Sequence, residues 1–353
     1  MLLVLGGGGA VLQALGPPHA GHPVQAAMAP GAPQPSAPQP AAPQPAGPQP
    51  DAPQPGAAPA EPAPAGVAPG DQQPGAPVPA GWDGHLRGPD PALLEPAPHV
   101  PDGHLPRRAE DGSAPMQAYA RPFDRADPRP RISLVMSGIG LSEADSRAAI
   151  EGLPPAVDLA FSVYAESPGP LAALARERGH ELLLSLPMEP EGYPMNDEGP
   201  RALLTGAALQ DNARNLEWAL TRLEGYAGVT GASDGMQGER FAGMAEPFGD
   251  VAREIAGRGL FYIDARPGAP ALPGVAGRGA DLVLDQPPAR AAMEAQLAKL
   301  EHLARDKGSA LGLAGPPHPV VIETIAAWAR ALESRGVVLA PASALSHPAG
   351  HAS

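Results

Sequence analysis

The chain has 353 residues with a formal net charge of −14, no cysteine, 50 prolines and 43 glycines. The acidic balance disfavours nucleic acid or an anionic lipid surface as a partner, and the lack of cysteine excludes disulfides and thiolate chemistry. Any metal would therefore have to be held by His, Asp or Glu.

The first segment of the chain, residues 1–16, is apolar and contains four consecutive glycines at positions 6–9. It is shorter than the roughly 20 residues of a membrane span, and it lacks the basic start of a signal peptide. We interpret it as the remnant of a membrane anchor or signal segment. The alternative is an apolar tail.

Proline is concentrated early in the chain, since 31 of the 50 prolines fall within residues 1–130. Residues 31–56 repeat a five-residue unit of the type A-P-Q-P-A, which fixes φ and removes backbone donors. This pattern favours an extended spacer, and a docking site for a proline-binding module is the alternative. Because such a composition can bury little apolar surface, we predict a disordered Pro/Ala/Gln-rich linker over residues 17–130.

From residue 131 to residue 346, short apolar runs alternate with helical patterns, and residues 347–353 form a tail. The pattern predicts a tight turn at 137–140 and helices from 142 and at 171–178, 207–223, 251–258, 289–305 and 320–334. Predicted strands lie at 132–136, 157–161, 182–186, 227–229, 260–263, 281–284, 310–313 and 337–339. Alternating strands and helices indicate an α/β domain with a parallel sheet, either a barrel or a doubly wound layer.

The most informative stretch is residues 179–197, which reads G-H-E-L-L-L-S-L-P-M-E-P-E-G-Y-P-M-N-D. Its apolar run suits a strand buried on both faces, and Pro187 ends that strand because it cannot donate to the ladder. Polar residues then follow at the carboxyl end of a parallel strand, where α/β folds bind ligands. We expect His180 to bond to backbone at the start of the strand rather than to bind a metal.

This stretch resembles the signature segment of the divergent polysaccharide deacetylase family, envelope proteins related to NodB-type carbohydrate esterases. The resemblance covers residues 131–345. It implies a distorted (β/α) barrel of the NodB-like deacetylase type, preceded here by the long Pro-rich segment. It also implies carbohydrate metabolism, a periplasmic location anchored to the inner membrane through the N-terminus, and an envelope glycan or an envelope protein as partner.

The resemblance further implies a metal site that this sequence has altered. The family's paired aspartates correspond to Ser137 and Gly138, and its histidine after the third strand corresponds to Ser185. The loop at 230–238 lacks the family's histidine, and His318 is displaced from the expected position. We therefore predict no metal ligand and no cofactor. A divalent metal such as zinc, held by a rearranged set of Asp234, Asp264 and His318, is the alternative.

Other polar residues of the family pattern are retained at predicted strand ends. We assign Asp264 and Glu189 as candidate catalytic residues. The candidate substrate-binding residues are Arg266, Tyr193, Asn196, Asp197 and Asp234. We expect Glu189, Asp197, Asp264 and Arg266 to converge on one pocket. The structural alternatives are a salt bridge between Asp264 and Arg266 and a loop-capping role for Glu189.

Three functional hypotheses follow from these observations. The first is a catalytically degenerate domain, a pseudoenzyme that binds glycan or an envelope protein. The second is an active metal-dependent hydrolase that removes N- or O-acetyl groups from carbohydrate. The third is an envelope scaffold without a ligand.

Overall fold

The computed structural model describes residues 82–347, and the predictions for residues 1–81 and 348–353 lie outside this range. A small antiparallel ladder comes first, formed by β1 (Leu94–Pro96) and β2 (His104–Pro106). The main sheet has nine parallel strands within the described range. They are β3 (Arg131–Ile139), β4 (Asp158–Ser162), β5 (Leu182–Ser185), β6 (Gly228–Thr230), β7 (Phe261–Asp264), β8 (Gly277–Gly279), β9 (Leu282–Val283), β10 (Ser309–Ala314) and β11 (Val338–Leu339).

Helices of four to 18 residues accompany these strands. They are α1 (Pro115–Ala118), α2 (Glu143–Gly152), α3 (Pro168–Glu177), α4 (Leu209–Leu220), α5 (Glu239–Ala242), α6 (Ala245–Gly257), α7 (Arg290–Lys307), α8 (Pro319–Arg330) and α9 (Ala342–Leu345). Between residues 82 and 347, no helix is long and apolar enough to cross a membrane.

The sheet is curled, as its connectivity requires. Its strand order is β8-β7-β6-β5-β4-β3-β10-β9, with β11 paired to the start of β3. Only Ala280 and Asp281 separate the two edge strands in sequence, and their N–H groups donate to Asp264 on β7 and Leu311 on β10. The edge strands therefore approach one another, and the sheet forms a half-barrel. The predicted α/β barrel-type fold is confirmed.

Two apolar layers hold the half-barrel together because successive side chains of a strand point to opposite faces. On β5, Leu182 and Leu184 pack outward in the cluster that contains the helix residues, whereas Leu183 packs into the inner cluster. All three are essentially fully buried. This burial on both faces explains the continuous apolar run that predicted the strand.

The predicted boundary at residue 131 is wrong, because residues 82–130 already form part of the folded domain. Leu93 and Tyr119 lie in the inner apolar cluster, and Leu105 lies in the outer one. The N–H of Arg121 donates to Glu181 at the start of β5, and that of Met116 donates to Gly259 just before β7. This segment, which we call the arm, closes the amino-terminal end of the half-barrel. We call that end the floor.

A second correction concerns the turn predicted at residues 137–140. Strand β3 continues to Ile139, with a register shift between Met136 and Ile139 in its pairing with β4. Gly138 has a φ of +78°, and a Cβ at this position would lie 3.1 Å from the Cα of Pro316. The segment is therefore an irregular strand end packed against the loop after β10 rather than a free turn.

Candidate functional site

The carboxyl ends of the parallel strands face one edge of the half-barrel, which we call the mouth. Strand register sets Ser162, Ser185 and Thr230 side by side at the ends of β4, β5 and β6. Asp264 ends β7 next to them. The residues predicted from sequence for ligand binding all follow these strand ends, as expected for an α/β fold.

Asp264 and Arg266 form an ion pair at the end of β7. The Asp264 side chain is 1% exposed, and its Oδ2 lies 2.6 Å from Nη2 of Arg266. Its Oδ1 accepts bonds from both Nε and the backbone N–H of Arg266, each at 3.0 Å. The hydrogen bond with Asp264 raises the pKa of Arg266. The observed contact is thus the salt bridge that sequence analysis gave as the structural alternative.

Glu189 links the loop after β5 to helix α5 through hydrogen bonds and an ion pair. Its carboxylate accepts bonds from the N–H and the hydroxyl of Thr205, at 2.6 and 2.8 Å, and lies 3.0 Å from Nε of Arg240. The residue is buried, and its carboxylate is satisfied by protein groups. This contact matches the loop-capping alternative.

The other candidate residues of this loop lie nearer the surface. Tyr193 is half-buried, whereas Asn196 and Asp197 are exposed. The Asn196 amide donates to the carbonyl of Glu191, and Asp197 accepts from the N–H of Gly199. Glu189, Asp197 and the Asp264–Arg266 pair make three separate sets of contacts, and their convergence on one pocket stays a prediction.

Asp234 lies at the tip of a two-residue turn after β6. It has a φ of +43° and Gly235 a φ of +82°, and Ser233 and Met236 bond to each other across the turn. Both positive φ values suit an Asp-Gly turn. The carbonyl of Gly235 accepts a 2.7 Å bond from the side chain of Gln286, so the turn reaches the loop that follows β9. Asp234 itself is exposed.

Glu198 is a residue of this site that sequence analysis missed. It is 5% exposed, and its Oε1 has no hydrogen-bond partner. Burial raises the pKa of Glu198 to about 8, opposed by a hydrogen bond with Ser233 and reinforced by the charges of Asp234, Glu239 and Asp197. A buried polar atom without a partner is rare in folded proteins and calls for a reason. The acidic run at 197–198 was visible in the sequence, but its burial was not.

Comparison with known proteins identifies the family. The family described as divergent polysaccharide deacetylase matches residues 134–346. The chain belongs to this family. A crystal structure of the uncharacterized protein ATU2773 from Agrobacterium tumefaciens C58 is similar, with 34% sequence identity and a TM-score of 0.64, over 69% of this chain and 99% of that one. A search of curated proteins found no match.

The divergent polysaccharide deacetylase resemblance implies a metal at the mouth, and the side chains present there do not fit one. Ser137 is buried with its hydroxyl directed to the carbonyl of Ala314, and Ser185 is buried with no partner for its hydroxyl. Across the described residues, no group of three or more His, Asp or Glu could hold a metal ion. Asp234, Asp264 and His318, the alternative ligand set, therefore do not form such a group.

Proposed function

We propose that this domain is a glycan-binding, catalytically degenerate member of the divergent polysaccharide deacetylase family. The observation that carries the proposal is the chemistry at the family's ligand positions, where Ser137, Gly138 and Ser185 supply no carboxylate or imidazole. Metal-assisted deacetylation needs a bound water activated by a cation held by such groups. Without carboxylate or imidazole ligands the domain would lack the catalytic function of the family and keep its ability to bind a glycan.

Buried polar atoms at the mouth support binding. The Ser185 hydroxyl and Glu198 Oε1 are both buried and without a protein partner. Leaving such a group unpaired costs about 1–3 kcal/mol, and a ligand hydroxyl or amine can supply the missing partner. Sugars present many such groups, whereas an apolar ligand would leave both atoms unsatisfied.

The proposal includes the setting of the protein. We infer an envelope glycan as ligand and a periplasmic location, with the N-terminal segment as a tether to the inner membrane. An envelope protein is the alternative partner. The family relationship and the proline-rich repeats at 31–56 support this setting.

The test combines binding and chemistry on the full chain. Isothermal calorimetry would measure binding of N-acetylglucosamine oligosaccharides and soluble peptidoglycan fragments, before and after chelator treatment. Acetate release would be assayed with added zinc, and tightly held metal would be measured by elemental analysis. We expect chelator-insensitive binding without acetate release. Acetate release with about one metal per chain would establish the deacetylase alternative, and no binding to any glycan would favour the scaffold.

A further inference from the structure

Four carboxyl groups lie near one another at the mouth. They belong to Asp197, Glu198, Asp234 and Glu239, and we call them the acidic lip. Asp197 and Asp234 are exposed, Glu239 is half-buried, and Glu198 is buried. The charges of the other three all act on Glu198. Like charges this close repel one another unless one group is protonated or a cation offsets them.

The arginines near the acidic lip are engaged elsewhere. Arg240 pairs with Glu189, and Arg266 pairs with Asp264. The guanidinium of Arg201 lies 5.4 Å from the ring centre of Trp218. Within residues 82–347, none of the four lip carboxylates forms an ion pair. Arg266 acts on Glu239 through its charge while it pairs with Asp264, so within residues 82–347 the lip carboxylates have no positive charge in direct contact.

Glu198 provides a second, independent indication of a ligand. Its side chain faces the turn that carries Ser233 and Asp234, and its Oε1 is shielded from solvent without any hydrogen-bond partner. An exposed acidic cluster alone would be a solvated surface. A carboxyl oxygen that is shielded from solvent and has no protein donor is instead suited to a donor that arrives with a ligand.

The arrangement of the four lip carboxyl groups indicates which kind of cation would bind there. Four carboxyl groups would bind a small metal ion if they closed around it, yet no group of three or more His, Asp or Glu in residues 82–347 does so. A cation spread over a larger molecule fits better, because its ammonium can reach Glu198 while neighbouring hydroxyls reach the outer carboxylates. An amine-bearing sugar has this combination of groups.

We propose that the acidic lip binds the ammonium group of a deacetylated amino sugar, so that the domain prefers glycans with free amines to fully acetylated ones. This inference rests on the glycan binding proposed above. An acetamido group is neutral and carries one N–H, whereas an ammonium carries a charge and three donors. The domain would then recognise the product of an N-deacetylation that another protein performs by hydrolysis of the amide, with water consumed and acetate released.

The test compares two oligosaccharides of equal length, one of glucosamine and one of N-acetylglucosamine, by calorimetry on the full chain at neutral pH. We expect about tenfold tighter binding of the glucosamine oligomer, equivalent to about 1.4 kcal/mol. Glu198→Gln and Asp234→Asn should each reduce this ratio by at least about threefold, or about 0.7 kcal/mol. Asp234 is exposed, and Asn tolerates its left-handed φ as well as Asp does. That second variant therefore tests the proposal without a change to buried structure.

A matched control is Glu151→Gln, since Glu151 is exposed on α2 and forms no ion pair among the described residues. It removes the same charge and should leave the ratio unchanged. Equal affinity for the two oligosaccharides would overturn this inference while leaving glycan binding intact. Failure to bind either sugar would overturn both proposals. Tighter binding of oligolysine than of the glucosamine oligomer would overturn the sugar assignment in favour of a basic peptide.

Discussion

Buried carboxyl groups occur at both ends of the half-barrel, but their surroundings differ. At the floor, Glu181 accepts bonds from the N–H of Arg121 and from the N–H and hydroxyl of Ser343. At the mouth, the charges of Asp197, Asp234 and Glu239 act on Glu198, which has one oxygen with no partner. The floor carboxylate of Glu181 thus joins three distant segments of the chain. The carboxyl group of Glu198 is also enclosed by the protein, but the protein provides no donor for its Oε1.

This contrast separates structural from functional use of the same chemical group. The floor also holds Asp158, whose Oδ2 accepts bonds from Ser133 and Ala342, while its Oδ1, like Oε1 of Glu198, has no hydrogen-bond partner. Burial and the charge of Glu181 raise the pKa of Asp158 well above its usual value. Asp158 and Glu181 nevertheless lie together in a closed core, where backbone N–H groups donate to both. At the acidic lip the unpaired oxygen of Glu198 lies near three further carboxyl groups, at the end of the sheet where α/β folds bind ligands, and we infer a ligand there.

The largest expected effect tests whether the arm belongs to the floor. A chain that begins at residue 131 loses Leu93 and Tyr119 from the inner cluster and the bond from Arg121 to Glu181. Removal of one buried aromatic side chain alone costs about 3–5 kcal/mol, which approaches the whole stability of many domains. We therefore expect this chain to lack a cooperative thermal transition by circular dichroism. A chain that begins at residue 82 is the control and should unfold cooperatively. Similar transition midpoints for the two would show that the arm is dispensable.

The arm also shows what sequence analysis can and cannot reach. Strands β3, β5 and β10 were predicted because continuous apolar runs identify strands buried on both faces. The arm was missed because Leu93, Leu105 and Tyr119 are isolated among prolines and glycines, and only contacts with the later strands bury them. Local patterns do not record such contacts.

The same reasoning applies to the candidate site. The positions at strand ends could be predicted, and His180 bonds through its ring to the carbonyls of Val157 and Ile150, as expected for a structural residue. Whether Asp264 serves a ligand or pairs with Arg266 depends on side-chain geometry, which the spacing of two residues leaves open. The burial of Glu198 depends on how the loop at 187–205 folds over the strand ends, so no residue pattern signals it.

A smaller effect concerns the floor and pH. Burial raises the pKa of Glu181 from 4.5 to about 7, so the folded state holds a proton that the unfolded state has released. Between about pH 4.5 and pH 7 the folded state binds more protons, and stability must fall as pH rises, by up to about 3 kcal/mol from this group. Glu181→Gln should flatten this dependence in urea unfolding experiments at pH 5 to 8.

The same variant should weaken the domain at pH 5, because an amide offers one acceptor oxygen to donors from Arg121 and Ser343 where the carboxyl group has two oxygens in use. The cost of such a mismatch is about 1–3 kcal/mol. Glu151→Gln is the control and should change neither quantity. An unchanged pH slope in Glu181→Gln would show that the floor carboxyl does not titrate in this range.

The last expected effect has the opposite sign and lies at the mouth. Burial raises the pKa of Glu198 from 4.5 to about 8, so the unliganded protein loses stability as pH rises through that range. Because Oε1 of Glu198 has no donor to lose, Glu198→Gln should be neutral at pH 5 and stabilise the domain by up to about 4–5 kcal/mol at pH 9. Urea unfolding at both pH values measures this. If the inferred ligand is correct, a glucosamine oligosaccharide at neutral pH should raise the stability of the wild-type protein more than that of the variant, since only the wild type has a carboxyl group that can release its proton and pair with the ammonium. Destabilisation of Glu198→Gln at pH 9 would mean that Glu198 has a structural partner after all, and the distinction between floor and mouth would then fail.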